Sequence, residues 1–301
     1  MPYLLLILTT LFWAGNFVLA RAIYLDLQPF TLAFLRWTLA LLIIAPWWLK
    51  RAWRLRQVLY DHLPVLTVQG ILGVACFNTL VYLGVQYTQA SNAMLMQSAV
   101  PVVILLLGVI FLREAVSPRQ WLGVCLSLGG VLVLISRGSL DVLTGLDFNR
   151  GDLWMFLAML SWSLYTLSLR WKPAALDGFT FFGFSVLVGV VVLLPFMLWE
   201  RGGSTELVLT EPFIWTVVYM AIFPSILSFL FWNHGVERLG AATAGPFIHL
   251  MPMFGLLLAT VFLGERLGWY HLTGVLLIFS GLYIAILAQS LRQLRKTARG
   301  A

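Results

Sequence analysis

The chain is 301 residues long, 61% hydrophobic and only 10% charged, with a formal net charge of +7. A soluble domain is about one quarter charged, so this chain has too few polar side chains to cover itself with water, and most of its surface must face lipid. The positive charge does not point to nucleic acid. The basic residues sit at the ends of apolar runs and in the tail, where they set orientation in a membrane.

Ten apolar runs follow one another along the chain, each close to the roughly 20 residues that a spanning helix needs. The first, 3–22, has no basic stretch ahead of it and is long enough to span, so it reads as a retained helix rather than a signal peptide. It carries Trp13, Asn16 and Ala20 on one helical face. The second, 28–49, contains Arg36, which either faces the interior or snorkels; the sequence leaves both open. Trp47 and Trp48 at its end read as interfacial anchors, as do Trp199, Trp215 and Trp269 further on. The third run, 63–85, places Asn78 and Tyr82 one turn apart. The fourth, 89–112, sets Met94, Gln97 and Ser98 along one face with Pro101, and the fifth, 119–136, has Gly123 and Gly130 seven apart on one face.

The sixth run, 152–170, carries Trp162, Tyr165 and Leu169, and the seventh covers 178–199. The eighth, 211–232, leads into Phe229 and Asn233. The ninth, 241–263, holds Gly245, Ile248 and His249 on one face with Pro252, and the tenth, 268–290, contains Gly274 and Gly281, again seven apart. These runs are twice the length of a tilted barrel strand and do not alternate. Helices are then the remaining way to satisfy the backbone in lipid.

Lys and Arg fix the expected orientation. With the N-terminus in the cytoplasm, that side collects Lys50, Arg51, Arg54, Arg56, Arg113, Arg119, Arg170, Lys172, Arg238 and the basic tail 291–301, while the outer loops hold Arg137, Arg150, Arg201 and Arg266. Both termini are expected inside.

Internal repetition is the most informative feature. At an offset of 149, Phe12-Trp13 faces Ser161-Trp162, Asn16 faces Tyr165, Arg21 meets Arg170, and Phe30-Thr31 meets Phe179-Thr180. Later the offset is 151: Gly84 meets Gly235, Ser98 meets His249, Pro101 meets Pro252, Glu114 meets Glu265, Gly123 meets Gly274 and Gly130 meets Gly281. Residues 1–137 form a first repeat and 152–290 a second, joined by a linker at 138–151. Five helices is an odd number, so the second repeat enters the membrane inverted. The expected fold is therefore an all-α polytopic membrane protein of ten transmembrane helices, built as two five-helix inverted repeats around a central cavity. That architecture produces alternating access, which makes transport the expected activity.

An amide in mid-span costs several kcal/mol unless it is hydrogen-bonded or faces water. Asn16, Asn78 and Asn233 beside Trp13, Tyr82, Trp162, Tyr165 and Phe229 therefore read either as a cavity wall or as glue between helices. Pro101 and Pro252 remove a backbone N–H and push aside the carbonyls of Gln97 and Ile248. These freed carbonyls could accept from an ammonium group, or the breaks could be kinks satisfied by neighbours. His249 reads as a polar pocket residue more readily than as a proton shuttle, because an unpartnered buried histidine tends to stay neutral. The paired glycines of runs five and ten allow close backbone approach and read as a packing seam. Glu114 and Glu265, at span ends, read as satisfying helix termini.

All acidic residues fall in loops or at helix ends, which leaves no mid-membrane carboxylate for proton or sodium coupling. No GxxxxGK[ST], HExxH or GxSxG stands in the chain, so no catalytic residues are assigned. Cys76 and Cys125, both inside apolar runs, read as small packing residues rather than a disulfide or metal pair. No metal and no cofactor is expected.

FWAGNFVLAR at 12–21, FLREAVSPRQWLGVCLSLGG at 111–130 and AATAGPFIHLMPMFGLLLATVFLGERL at 241–267 resemble the tandem EamA-type transporters of the drug/metabolite transporter superfamily. Within it, the chain looks most like bacterial aromatic-amino-acid exporters. The resemblance implies a basket of helices 1, 3, 4, 6, 8 and 9 around a cavity, with 5 and 10 as a supporting pair. It implies export of amino acids, aromatic and other neutral ones, and of related small metabolites from a bacterial cytoplasmic membrane by a monomer that needs only its substrate and the bilayer. Trp13, Tyr82, Met94 and Trp162 would contact an apolar or aromatic side chain. Asn16, Asn78, Ser98, Asn233, His249 and freed carbonyls would hold the charged groups. Efflux of drugs or lipophilic cations is the rival within transport, and an intramembrane enzyme or a scaffold is the rival outside it.

Overall fold

The computed structural model describes residues 1–23, 28–88, 96–139, 141, 144, 149–202, 210–263 and 268–300. Among the described residues, helix lies within each expected span and no strand occurs. The helices are α1 (Pro2–Ile23), α2 (Pro29–Arg54), α3 (Leu63–Val85), α4 (Val100–Leu112), α5 (Pro118–Ile135), α6 (Arg150–Ser168), α7 (Gly178–Gly202), α8 (Glu211–Leu239), α9 (three pieces: Ala241–Ala244, Gly245–His249 and Leu250–Leu263) and α10 (Trp269–Gly300). Among the described residues, α2, α3, α5 and α7 to α10 are the seven long and apolar enough to cross a membrane, while α1 and α4 supply shorter apolar helices.

Large apolar side chains point outward along these helices. Leu42, Ile110, Phe111, Leu122, Val191, Leu272, Phe279 and Tyr283 are exposed, as suits helices that face lipid, since apolar surface of this kind would aggregate in water. Cys125 is exposed on the same outer surface and Cys76 is half-buried. Cys125 therefore does not fill the interior as its apolar surroundings suggested. Trp48 also departs from expectation. It is buried, donates from Nε1 to the Thr180 carbonyl at 3.1 Å and lies on Gly183 of α7, so it joins α2 to α7 rather than anchoring at the interface.

Several helix starts are capped by side chains, because the first N–H groups have no partner within the helix. Ser117 and Gln120 form a capping box at α5, and Asn149 and Asp152 form one at α6. Asp177 accepts from the Phe179 and Thr180 amides, both at 3.0 Å, at the start of α7. At α2 the repeat-equivalent Phe30 and Thr31 amides are instead taken by Glu200, at 3.2 and 2.7 Å, from the far end of α7.

The helix contacts come in matched pairs. α2 packs on α7, α5 on α10 and α4 on α9, each pair being its own image; α3 on α6 is matched by α8 on α1, and α4 on α6 by α9 on α1. Side chains repeat the rule: Gly84 of α3 abuts Met155 of α6, and Gly235 of α8 abuts Leu6 of α1. At the α5–α10 crossing a Cβ on Gly123 would lie 2.6 Å from the Gly281 carbonyl, and one on Gly130 would lie 2.6 Å from the Gly274 carbonyl. The first contact becomes the second when the halves are exchanged, which is the behaviour of a two-fold axis lying between inverted repeats.

Two departures from α-helix also share this symmetry. α3 and α8 each contain a π-helical turn, Ile71–Cys76 and Ala221–Leu227. Such turns release backbone groups from the regular ladder and concentrate at functional sites. Ser161 donates to the Leu72 carbonyl at 2.8 Å, and the Trp13 indole donates to the Pro224 carbonyl at 3.3 Å. In α4 and α9 the break lies one turn ahead of the proline. Pro101 stands in the first turn of Val100–Leu112, and Pro252 in the first turn of Leu250–Leu263, after the 3-10 stretch Gly245–His249. Proline fits the first turn, where its missing N–H costs nothing, so these residues restart helices rather than bend their middles.

Candidate functional site at the meeting of the two halves

The residues singled out in the sequence divide into two neighbouring groups and one that cannot be placed. Met94 lies outside the described residues, as does Glu265. The larger group gathers around Trp162, whose ring centroid lies 5.0 Å from that of Trp13, 4.6 Å from Phe77, 5.2 Å from Tyr165, 5.3 Å from Phe229 and 5.7 Å from Trp232. These are edge and tilted aromatic pairings, each worth about 0.5–1.5 kcal/mol beyond the area they bury. All six side chains come from α1, α3, α6 and α8, and the rings pack on one another.

Beside the rings lies Arg36, 1% exposed. Its Nε donates to Ser225 Oγ at 2.7 Å, and its Nη1 faces Tyr82 Oη at 2.7 Å, Asn78 Oδ1 at 3.0 Å and Asn16 Oδ1 at 3.4 Å. Arg36 therefore faces inward, which settles the choice its sequence position left open. The three ion pairs among the described residues are Arg51–Asp177, Glu114–Arg170 and Lys172–Glu237, so none of these carboxylates pairs with Arg36. Burying an ion costs several kcal/mol, and here neutral acceptors from α1, α3 and α8 offset it.

The second half repeats this arrangement without the charge. Tyr165 donates to Asn233 Oδ1 at 2.8 Å, and these two are the repeat equivalents of Asn16 and Tyr82. Position 185, equivalent to Arg36, is Ser185, which bonds back to the Phe181 carbonyl at 3.0 Å. The centre of the molecule is thus symmetric in packing and asymmetric in charge. Several buried donors there have no partner among the described residues: Asn78 Nδ2, Asn233 Nδ2, Trp162 Nε1 and Gln97 Nε2.

The smaller group joins α4, α5 and α9. The His249 ring donates from Nε2 to the Ser98 carbonyl at 2.9 Å, and its Nδ1 faces Ser127 Oγ at 2.6 Å. The Ser98 carbonyl, beside the one expected to be freed, is thus occupied by His249. Gly245 approaches Pro101 in the same region, 3.6 Å from a built Cβ to the Pro101 Cα.

Inter-half ties close both ends of the bundle around these groups. At the end holding the α4–α5 and α6–α7 loops, Glu114 pairs with Arg170 at 3.3 Å and Arg51 with Asp177 at 3.6 Å. Glu114 thus bridges halves rather than only finishing a helix. At the other end Thr31 bonds Glu200 and Thr88 bonds Asp152. Ser225, Trp232 and Phe77 were missed from sequence. Ser225 lies one turn before Phe229, and Trp232 one turn after, on the face already carrying Asn233, so helical periodicity carried that signal.

The profile of the EamA-like transporter family matches residues 1–136 and 149–287, one match for each half. The chain belongs to this family. An uncharacterized transporter of Archaeoglobus fulgidus is 26% identical over 289 residues, 95% of this chain and 98% of that one. A probable terminal-alkyne amino-acid exporter of Streptantibioticus cattleyicolor is 27% identical over 205 residues, 67% of this chain and 66% of that one. A crystal structure described only as that of a protein superposes with a TM-score of 0.76 at 22% identity, over 96% of this chain and 98% of that chain, and supports the fold alone. Membership of the EamA-like family makes this a multi-pass membrane transporter. Its substrate must come from the central residues.

Proposed function

We propose that this EamA-like transporter exports amino acids, aromatic and other neutral ones, and related small metabolites across a bacterial cytoplasmic membrane by alternating access. The observation that carries the reading is the aromatic cluster around Trp162 with unpaired amide and indole donors beside it. Apolar walls with a few oriented polar groups are what a small amphipathic solute requires. The rings and amides come from both halves, so rocking one half against the other separates them and opens the site to either side. The broken starts of α4 and α9, linked through Ser98 and His249, are where the halves would pivot.

The distribution of Lys and Arg supports termini in the cytoplasm. Two fused repeats, 1–137 and 152–290, joined by 138–151, supply both sides of the site, so a monomer suffices. Lipophilic-cation efflux is disfavoured by the buried Arg36 cation, which repels such a ligand. The test is uptake of labelled amino acids into liposomes holding purified protein. Uptake above protein-free liposomes, lost in Trp162→Ala and kept in Trp162→Phe, is the expected result. Absence of uptake for every neutral amino acid by folded protein overturns the reading.

A further inference from the structure

We propose that Arg36 is the anion anchor of the transport site, and that the transported molecule must carry a carboxylate or an equivalent anionic group to occupy it. This rests on the transport site described above and adds the substrate's charge class. A guanidinium has five N–H donors in a planar fork. In Arg36, Nε is used by Ser225, and Nη1 is shared among Tyr82, Asn78 and Asn16. The four hydrogen bonds of Arg36 leave from Nε and Nη1, so the two Nη2 N–H groups take no part in them. Asn78 is committed through Oδ1 to Arg36, so its Nδ2 is a further donor, and it has no partner among the described residues. An unpaired amide donor therefore sits on a residue bound to this buried cation, and none of the ion pairs among the described residues includes Arg36.

The energetics point the same way. A membrane-embedded cation without a counter-charge is expensive, and four neutral acceptors hold it without neutralising it. Only an incoming anion adds charge compensation, and the planar fork suits a carboxylate best because it can bind two oxygens at once. The absence of a matching charge in the second half, where Ser185 stands, makes the anchor single. One anionic group binds at the Arg36 side, and the rest of the molecule extends toward Trp162 and Phe229, which packs on Trp37 at 5.0 Å, the residue next to Arg36.

Three probes on one phenylpropyl skeleton separate the requirement from general hydrophobicity: 3-phenylpropionate, the isosteric 3-phenylpropanamide and 3-phenylpropylamine. Binding to detergent-purified protein is followed by tryptophan fluorescence and thermal stabilisation. The acid is expected to bind at least about tenfold more tightly than the amide, as loss of one charge-assisted hydrogen bond implies; the amine is expected not to bind. Arg36→Gln should abolish the preference for the acid, and Arg36→Lys, which keeps the charge but loses the fork, should retain part of it and guards against a folding failure in the first variant. Equal binding of acid and amide by wild-type protein, or no binding of the acid, overturns the proposal. A transport arm separates it from the amino-acid reading. Uptake of phenylalanine and phenylalaninamide at equal rates sinks the anchor and leaves the amino-acid reading standing. Arg36-dependent binding of phenylpropionate without transport of any amino acid keeps the anchor and sinks that reading.

Discussion

His249 donates its Nε2 hydrogen to the Ser98 carbonyl across 2.9 Å, and the two residues occupy equivalent positions of the two halves. A carbonyl can only accept, so Nε2 carries the hydrogen, and Nδ1 accepts from the Ser127 hydroxyl at 2.6 Å when the ring is neutral. One ring thereby fastens α9 to both α4 and α5 where α4 and α9 leave regular helix. His249→Ala removes both hydrogen bonds and opens a cavity, which should cost about 2–4 kcal/mol. His249→Gln, which keeps a donor, should lose less. Thermal unfolding in detergent measures the order, and an alanine variant as stable as wild type would show that the link does not hold α4 and α9 together.

The α5–α10 crossing gives a sharper contrast between adjacent residues. A Cβ on Gly130 would lie 2.6 Å from the Gly274 carbonyl, whereas one on Gly129 meets nothing within 4 Å. Gly130→Ala must push the helices apart and should destabilise by about 1–3 kcal/mol. Gly129→Ala should be neutral or stabilising, since alanine is the better helix former by up to about 1 kcal/mol. Equal loss of stability in both would mean that the crossing is looser than these distances indicate.

The helices and their inverted repetition could be read from the sequence because lipid imposes a simple rule, long apolar runs, and because Pro101/Pro252 and the four seam glycines recur in register. Arg36 could not be resolved that way. Periodicity places a residue on a helix face but does not say whether a long side chain turns inward or snorkels, and the decision rests on Ser225, Tyr82, Asn78 and Asn16 from other helices. Trp48 misled for the same reason. A tryptophan at a span end looks like an interfacial anchor until Gly183 of another helix makes room for its ring. The helix breaks ahead of Pro101 and Pro252 were also hidden, since proline marks a disturbance without saying on which side of it the regular helix ends.

Asp177 carries a pH dependence whose sign can be worked out. Burial pushes its carboxyl up, but the Thr180 hydroxyl and amide, Arg51 and the Phe179 amide together hold it below its ordinary value. A carboxyl lowered on folding stabilises the protein above its unfolded pKa of about 3.9, and that contribution is lost as pH falls through the folded value. Unfolding temperature followed from pH 7 downward should therefore fall more steeply below about pH 4 in wild type than in Asp177→Asn, which cannot titrate. Asp177→Ala should also lose the helix cap at neutral pH, about 1 kcal/mol. Parallel wild-type and Asp177→Asn profiles through that range would remove Asp177 as the titrating group.

Glu200 does for α2 what Asp177 does for α7, but from the other half of the molecule. Its carboxylate accepts from the Phe30 and Thr31 amides and from the Thr31 hydroxyl, the last at 2.8 Å, while Gln28 at the helix start makes no side-chain cap of its own. A cap supplied across the halves breaks when they separate at that end, whereas the Asp177 cap stays within the second half and its tie to Arg51 lies at the opposite end. Glu200→Ala should thus cost about 1–2 kcal/mol of stability and, unlike Asp177→Ala, favour the form open at the end where α7 finishes. Labelling of a cysteine introduced at Thr31 cannot report this, because Thr31 is part of the tie; a cysteine at Ser161, facing the interior between α3 and α6, can. Faster labelling of Ser161→Cys from that end in the Glu200→Ala background, and no faster labelling from it in the Asp177→Ala background, which loosens the opposite end, is the expected pattern. Equal rates in both would make Glu200 a simple helix cap with no part in closing the bundle.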